Sequence, residues 1–359
     1  MSISRQTLFW AGTLVLLFFL LHLLAGMLLP FVAGFMIAYL LLPIVARLTR
    51  WGVPRWVAAL LALVLFILAL VLLVVLLVPV IEVQTGQLAR SAPAAVAYVR
   101  EQVQLLLDRA QRDLPPEDLA KARDMAGSWT GSVLTWVAGL AQSILSRGIA
   151  LANIITLLLI TPLVAFFAMR DWDAIVAKLD SLLPRNHAAT IREQARLIDS
   201  TISGYLHGQA LVSLIVGIYY AVALSILGLQ FAIILGIVIG IISFVPYLGE
   251  ATGVVLAMGL GAMQFGSWPM VMIIAAIFLV GHLGSSDVLQ PKLVGSRVHL
   301  HQIWIIFALL AFGELFGFLG LLLALPAAAV TGVLVRFAVS RYKASALYDP
   351  SKTKRKVGS

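Results

Sequence analysis

The feature that most constrains this chain is a set of long apolar runs that carry almost no charge. Residues 57–80 consist almost entirely of Leu, Val, Ala and Ile. Roughly 20 such residues in a helix cross a hydrocarbon core about 30 Å thick. Only 11% of the 359 residues are charged, whereas soluble domains average about 25%. The composition therefore excludes a water-soluble protein, and the absence of cysteine excludes disulfides and thiolate chemistry.

The N-terminal region, residues 1–80, is predicted to consist of transmembrane helices. An apolar run covers residues 9–29, and we expect Pro30 to interrupt it before a second, short span that ends at Ala46. The apolar region continues where a signal peptide would be cleaved, which indicates a retained anchor. A short basic loop precedes the span of residues 57–80 and places that loop and the N-terminus in the cytoplasm. Its cations are Arg47, Arg50 and Arg55.

The next region, residues 81–148, is predicted to be an extramembrane insertion of two amphipathic helices. Apolar residues recur there at helical spacing on both sides of the Pro115-Pro116 break. The orientation of the preceding span places the insertion outside. We favour packing of its apolar stripes on each other or on the membrane domain, and subunit association is the alternative.

Residues 149–338 are predicted to be a C-terminal transmembrane domain with a cytoplasmic helical loop over residues 170–205. Its later apolar segments are residues 211–228, 231–248, 251–265, 269–284 and 302–336. The last is long enough for two passes around residues 317–320. The basic tail, residues 339–359, places the C-terminus in the cytoplasm.

The fold class is therefore all-α, a polytopic membrane protein with about eight transmembrane helices, some of them broken or re-entrant. Two cytoplasmic termini require an even number of crossings, and the hydropathy allows up to ten. The net charge of +9 comes from segments next to spans, where basic residues are attracted to anionic lipid. We therefore expect the lipid bilayer, and no nucleic acid, as a partner.

A helix break is predicted where Pro246 and Gly249 follow an apolar segment, because proline lacks an amide hydrogen and glycine permits unusual turns. Broken helices form binding sites in transporters, and the alternative is an ordinary interfacial loop. Small residues then repeat every fourth position, which predicts one tightly packed helix face. They are Gly249, Gly253, Ala257 and Gly261.

Three carboxylates lie in or beside apolar segments, where charge is costly and is by default a sign of function. Glu314 is the clearest, because no other charged residue lies between Arg297 and Arg336. Glu250 and Asp287 sit at segment ends, and a structural role is favoured for them.

Motifs for energy-using or hydrolytic chemistry are missing from the sequence. It contains no phosphate-binding loop, no His-Glu-x-x-His pair and no Gly-x-Ser-x-Gly elbow. His299 and His301 are two residues apart, a spacing that does not put both on one helix face. We therefore expect no catalytic residues, no metal site and no cofactor, and the protein is not predicted to be an enzyme.

Several motifs occur in an order that resembles the AI-2E family of bacterial permease-like proteins. They are Phe167-Ala-Met-Arg-Asp171, Leu183-Pro184, Gly204-Tyr-Leu-His-Gly-Gln209, Phe244-Val-Pro-Tyr-Leu-Gly249, Asp287-Val-Leu-Gln-Pro-Lys-Leu-Val-Gly295 and Phe316-Gly-Phe-Leu-Gly-Leu-Leu-Leu-Ala-Leu-Pro326. The positions matched to family motifs are Gly208, Gln209, Pro246, Tyr247, Gly249, Gln290, Pro291 and Gly295. Several family members have a second proline where this chain has Glu250.

The resemblance implies a multi-pass protein of the bacterial inner membrane. Some members of the family are associated with export of the quorum-sensing signal autoinducer-2 (AI-2), and others with sodium/proton antiport. Residues and resemblance together lead to the hypothesis of a secondary transporter or exporter of a small polar solute, coupled to protons through Glu314 or else Glu250. The polar path is predicted to contain Gln209, Tyr247, Glu250, Gln290 and Glu314, and Asp287 is a further candidate for the path or for coupling.

The same residues are compatible with two alternatives. A sodium(lithium)/proton antiporter would carry a cation instead of a small polar solute. A non-transporting membrane scaffold would use the insertion and the basic tail to recruit partners, and it would have no need of a broken, carboxylate-bearing helix. We also expect a homo-oligomer.

Overall fold

The computed structural model describes residues 23–76, 150–295 and 301–345, together with isolated positions outside these ranges. The predicted insertion, residues 81–148, lies outside the described residues, as do His299 and most of the tail, residues 339–359. Within the described part of the chain the protein is helical and no strand is present. The all-α prediction is confirmed.

Eight α-helices and one π-helix make up the described residues. They are α1 Ala25–Arg50, α2 Arg55–Leu76, α3 Ala150–Ser181, α4 Ala188–Ile226, α5 Ala232–Ile242, α6 Leu248–Phe265, α7 Trp268–Leu283, the π-helix Gly284–Gly295 and α8 Gln302–Ala344. The π-helix continues α7 directly, so that the helix extends beyond the predicted apolar segment 269–284 to residue 295.

Five of the described helical segments are long and apolar enough to cross a membrane. They are Met27–Arg50, Arg55–Leu76, Ala188–Ile226, Trp268–Val294 and Ile303–Ala344. Large apolar side chains on them are exposed, such as Leu65 and Leu310 at 61% and 70%. Because such surfaces are stable only against lipid or other apolar helices, the chain is a multi-pass membrane protein.

Two shorter apolar helices, Ala232–Ile242 and Leu248–Ala262, do not reach the length of a full span. Helix α5 has 11 residues and is therefore about 16 Å long. The two helices pack against each other. They form a helical hairpin that fits the prediction of re-entrant segments.

The chain divides into two compact units. Unit 1 contains residues 1–68, 156–212 and 287–359, and its core, formed by α1, α2 and α3, is rich in alanine. Ala38, Ala59 and Ala165 are fully buried there. At Gly34 an added Cβ would come within 2.8 Å of Thr161 and Val164, so these helices pack at close distance.

Pro30 does not interrupt the first described helix, and that expectation is wrong. Helix α1 runs through both Pro30 and Pro43, and a turn at Leu24 precedes it. Both prolines lie beyond the first turn, so each removes one amide hydrogen from the helical ladder, and the helix continues through them.

Unit 2 contains residues 69–155 and 213–286. Its described core includes Tyr220, whose ring stacks on Phe278 at a centroid distance of 4.4 Å. Glycines allow the C-terminal part of α4 to pack closely against α5. A Cβ on Gly217 would lie only 3.0 Å from the carbonyl oxygen of Gly236. Helix α6 packs against both α5 and α7.

Helix α8 folds back on itself at Gly317, which has left-handed φ of 59° and ψ of −137°. The arms are residues 302–316 and 318–344. A Cβ on Gly313 would lie 2.9 Å from Leu321 Cδ2, and one on Gly320 would collide with the carbonyl of Phe312. Such contacts are impossible along a straight helix, so the arms form a second hairpin, here called the C-terminal hairpin.

The C-terminal hairpin predicts a specific cross-link, which the absence of native cysteine makes easy to detect. Cysteines introduced together as Gly313→Cys and Leu321→Cys should form a disulfide under mild oxidation, because their side chains are in contact. Maleimide labelling and intact mass should show the loss of both thiols.

The matched control is Ile303→Cys with Ala311→Cys, which has the same sequence separation on one arm. These positions are about 12 Å apart along a helix and should keep both thiols free. Equal reactivity in the two pairs would show that residues 302–344 do not fold back at Gly317.

Candidate functional site

The break in unit 2 separates α5 from α6 over residues 243–247. The three residues after α5 continue its hydrogen-bonding pattern. The backbone N–H groups of Ser243, Phe244 and Val245 donate to the carbonyls of Ile239, Ile241 and Ile242, respectively. Pro246 is buried, and Tyr247 has a left-handed φ of 68°. Left-handed backbone at a bulky residue is strained. The turn is held closed by Gly249, where any Cβ would collide with Ser243.

Glu250 lies in the first turn of α6, directly after this break. Its carboxylate is mostly buried, with 19% of the side chain exposed. The amide hydrogens of a helix N-terminus carry partial positive charge, which favours an anion at this position. Local structure therefore places a carboxylate at the end of an interrupted helix.

Two side chains from the next helical segment bind Glu250. Nδ1 of His282, at the end of α7, lies 2.6 Å from Oε2 of Glu250. Ser285, at the start of the π-helix, donates its hydroxyl to Oε1. Ser285 is buried, whereas half of the His282 side chain, 51%, is exposed. Both carboxylate oxygens thus have a donor.

His282 and Ser285 were not among the predicted site residues. They are 32 and 35 positions from Glu250 in sequence, so no local spacing links them to the carboxylate. The one available signal was the presence of a histidine at the end of the uncharged run in α7.

The small-residue face of α6 is buried along its length. Gly249, Gly253, Ala257 and Gly261 are all classed as buried. A Cβ on Gly253 would lie 2.7 Å from the Ile239 side chain of α5 and 3.0 Å from Phe278 of α7. At Gly261 it would collide with Ile274 of α7. Helices α5 and α7 therefore both approach α6 on this face.

In unit 1, Gly208 of α4 lies against the π-helix, because any Cβ there would collide with the carbonyl of Leu293. Gln209 is next to it and is 1% exposed. A buried amide side chain can both donate and accept hydrogen bonds. The close approach of α4 to the π-helix is therefore made at the residue next to this buried amide.

The π-helix carries three of the predicted residues. Asp287 and Pro291 are exposed, and Gln290 is half-buried. A π-helix is an uncommon conformation that is frequent at functional sites. Pro291 supplies no amide hydrogen to its ladder.

Glu314 is exposed on the first arm of the C-terminal hairpin, one turn before Gly317. Among the described residues its carboxylate has neither a hydrogen bond nor an ion pair. A carboxylate facing acyl chains would be costly. Its position therefore favours contact with water or with another polar surface.

A further polar face of unit 1 joins α4 to α1. Tyr39 donates to Asp199 at 3.0 Å, and the two ring nitrogens of His207 lie 2.7 Å and 3.1 Å from the Ser203 and Leu40 carbonyls. A neutral imidazole can donate to only one of these carbonyls. The spacing of four from Asp199 to Ser203 and on to His207 was visible in the sequence, but none of the three was predicted to be a site residue.

The predicted path residues therefore fall into two groups. Tyr247 and Glu250 belong to unit 2, and Gln209, Asp287, Gln290 and Glu314 belong to unit 1. No group of three or more His, Asp or Glu side chains that could hold a metal ion is found in the described ranges.

Apolar helices interrupted at two turns, with ionisable side chains next to those turns, are typical of membrane transporters. The family model for AI-2E family transporters matches residues 11–340. The chain belongs to the AI-2E transporter family.

Similar proteins support the same class. The candidate transport protein YrrI of Bacillus subtilis (strain 168) is 28% identical over 310 residues, 85% of each chain. The candidate permease PerM of Escherichia coli (strain K12) is 26% identical over 334 residues, 93% of this chain and 92% of PerM. The AI-2 transport protein TqsA of the same strain is 23% identical over 318 residues, 88% of this chain and 87% of TqsA.

Close packing on the α6 face leads to a stability prediction. Gly253→Leu should lower the free energy of unfolding by about 1–3 kcal/mol, because the new side chain must displace Ile239 and Phe278. Thermal unfolding of the detergent-solubilised protein, followed by size-exclusion chromatography, measures the change.

Gly259→Leu is the matched control on the same helix, since nothing lies within 4 Å of a Cβ at that position. It should be neutral or slightly stabilising, because leucine favours helix more than glycine does. Equal loss of stability in both variants would contradict the close approach of α5 and α7 at Gly253.

Proposed function

We propose that the protein is a secondary transporter that exports a small polar solute similar to AI-2, coupled to the proton gradient. The observation that carries the proposal is the pair of interrupted helical segments, each with a carboxylate about one turn from its break. Regular spans that only anchor a scaffold have no need of such breaks. Broken helices free backbone groups that can bind polar ligands.

The polarity of the expected path residues supports a hydroxylated solute. Gln209 and Gln290 offer amides, Tyr247 a hydroxyl, and Glu250, Asp287 and Glu314 carboxylates. These groups hydrogen-bond to alcohols and carbonyls as donors and acceptors. The name of TqsA, an AI-2 transport protein, points to the same solute class.

A sodium(lithium)/proton antiporter is the second candidate. The carboxylate of Glu250 favours it, since hard cations prefer oxygen ligands and a bound cation would take the place of a hydrogen-bond donor there. Dequenching of a pH dye in proteoliposomes on addition of sodium or lithium would identify this activity.

We place the protein in the bacterial inner membrane as a homo-oligomer with both termini in the cytoplasm. The support for the orientation is the basic loop between α1 and α2 and the basic end of α8, where Arg341 and Lys343 lie in the last turn. A charged side chain such as Glu314, exposed on one copy, also favours contact with a second copy or with water.

The orientation can be tested with single cysteines in the cysteine-free chain. His187→Cys, in the exposed turn between α3 and α4, should react with a membrane-impermeant maleimide in inside-out vesicles and stay unlabelled in intact spheroplasts. An N-terminal Ser2→Cys should behave identically. Labelling of either position in intact spheroplasts would contradict the proposed topology.

Transport itself is tested with the purified protein in liposomes. Wild-type vesicles should accumulate or release AI-2 faster when a pH gradient is imposed. Glu314→Gln should lose most of this response, at least about tenfold, because a neutral amide cannot exchange a proton. Rates with and without the gradient, measured by an AI-2 reporter assay, give the comparison.

Glu193→Gln is the matched control, since Glu193 is exposed in the first part of α4. It should transport at the wild-type rate under every gradient. If Glu314→Gln responds to the gradient as the wild type does, Glu314 has no coupling role. If the wild type moves no AI-2 and instead exchanges sodium for protons, the antiporter is the correct function.

A further inference from the structure

A carboxylate, an imidazole and a buried hydroxyl form one cluster in unit 2. His282 lies 2.6 Å from Glu250, and Ser285 donates to the other carboxylate oxygen. An ionised carboxylate only accepts hydrogen bonds, so Nδ1 of His282 carries the hydrogen that joins the two side chains. The other ring nitrogen, Nε2, is left to accept or release a proton.

The surroundings of this cluster in unit 2 contain few other ionisable groups. Helix α5 has none, and Glu250 and His282 are the titratable residues of α6 and α7. From α4, Tyr220 lies within electrostatic range of Glu250, and Tyr219 donates its hydroxyl to the Ile277 carbonyl. Asp287 and Lys292 follow along the π-helix. The charge of the cluster is therefore set mainly by Glu250 and His282.

We propose that His282 binds a coupled proton at Nε2 and that Glu250 positions the imidazolium through Nδ1. This inference rests on the proposed function, and it adds a proton-binding residue of α7 to Glu314, so that loss of either residue should abolish the response to a pH gradient. Half of the His282 side chain is exposed, whereas Glu250 is mostly buried.

The net charge of the cluster differs between its protonated and deprotonated states. With the proton bound, the carboxylate and the imidazolium sum to zero. When Nε2 releases the proton to water, Nδ1 keeps its hydrogen bond to Glu250 and the cluster carries one negative charge. A neutral cluster is less costly next to apolar helices than a charged one. The proton-loaded form is thus the one suited to an apolar environment.

Ser285 keeps the geometry constant in both states. Its hydroxyl donates to Oε1 of Glu250, and it also lies 3.2 Å from the His282 carbonyl. With Oε1 engaged, Oε2 faces Nδ1 whether or not Nε2 is protonated. Ser285 is therefore a positioning residue in this proposal.

The first experiment needs no transported solute and detects the proton directly. The full chain, labelled with ¹⁵N-histidine and ¹³C-glycine in nanodiscs, contains a single Gly–His peptide, Gly281–His282, so the histidine can be assigned without mutation. The ring nitrogens of His282 should titrate with pH. In Glu250→Gln the titration of His282 should change, because the carboxylate that accepts from Nδ1 is lost.

His187 provides the internal control, since its side chain is exposed in the turn between α3 and α4. Its titration should be the same in wild type and Glu250→Gln. Titration of His282 that is unchanged by Glu250→Gln would overturn the proposal. So would a His282 ring that stays neutral over the whole range in which the wild type is folded.

The second experiment uses AI-2 in liposomes and separates coupling from solute binding. His282→Gln should lose the response to a pH gradient while it retains exchange of labelled AI-2 at equal pH, whereas His187→Gln should keep both. Retained coupling in folded His282→Gln would overturn the proposal. If wild type moves no AI-2, the proposed function fails, and the titration of His282 still decides whether the proton site exists.

Discussion

The structure depends on one constraint, which is that every backbone polar group inside a bilayer needs a partner within the protein. A continuous helix pairs its backbone N–H and C=O groups with each other. Where a helix is interrupted, nearby residues must supply these hydrogen bonds. After α5, successive amides of residues 243–245 bond to carbonyls one turn earlier. In the turn before α5, the side chain of Gln264 bonds to two backbone polar groups. It accepts from the backbone N–H of Gln230 at 2.6 Å and donates to the backbone carbonyl of Gly228 at 2.7 Å. Irregular backbone is thus permitted by nearby helix ends and side chains.

Small residues are the second means by which the chain accommodates its short helices. An 11-residue helix such as α5 buries little side-chain area, so it gains stability from close contact. Gly217, Gly236 and Gly240 allow backbone contact between α4 and α5, and the small-residue face of α6 receives α5 and α7. At Gly317 the need is conformational, since a left-handed φ of 59° lets two arms meet at a single residue.

Sequence patterns predicted the features that depend on local composition. Apolar runs gave the spans, and Pro246 with Gly249 marked the break that the structure has over residues 243–247. The prediction for Pro30 was wrong because a proline removes only one amide hydrogen from the ladder, and the apolar helix Ala25–Arg50 continues through both Pro30 and Pro43. His282 and Ser285 were missed because their contact with Glu250 is made by the packing of α6 on α7 and leaves no pattern in the sequence.

Glu314 and Glu250 have similar sequence surroundings but different hydrogen-bond partners in the structure. Both lie in or beside an apolar segment, and the composition of the sequence favoured Glu314 as the functional carboxylate. In the structure Glu250 has a donor on each oxygen, whereas Glu314 is exposed and has no partner among the described residues. Glu250 is therefore suited to hold a neighbouring cation or imidazolium in place, whereas no described residue fixes the carboxylate of Glu314.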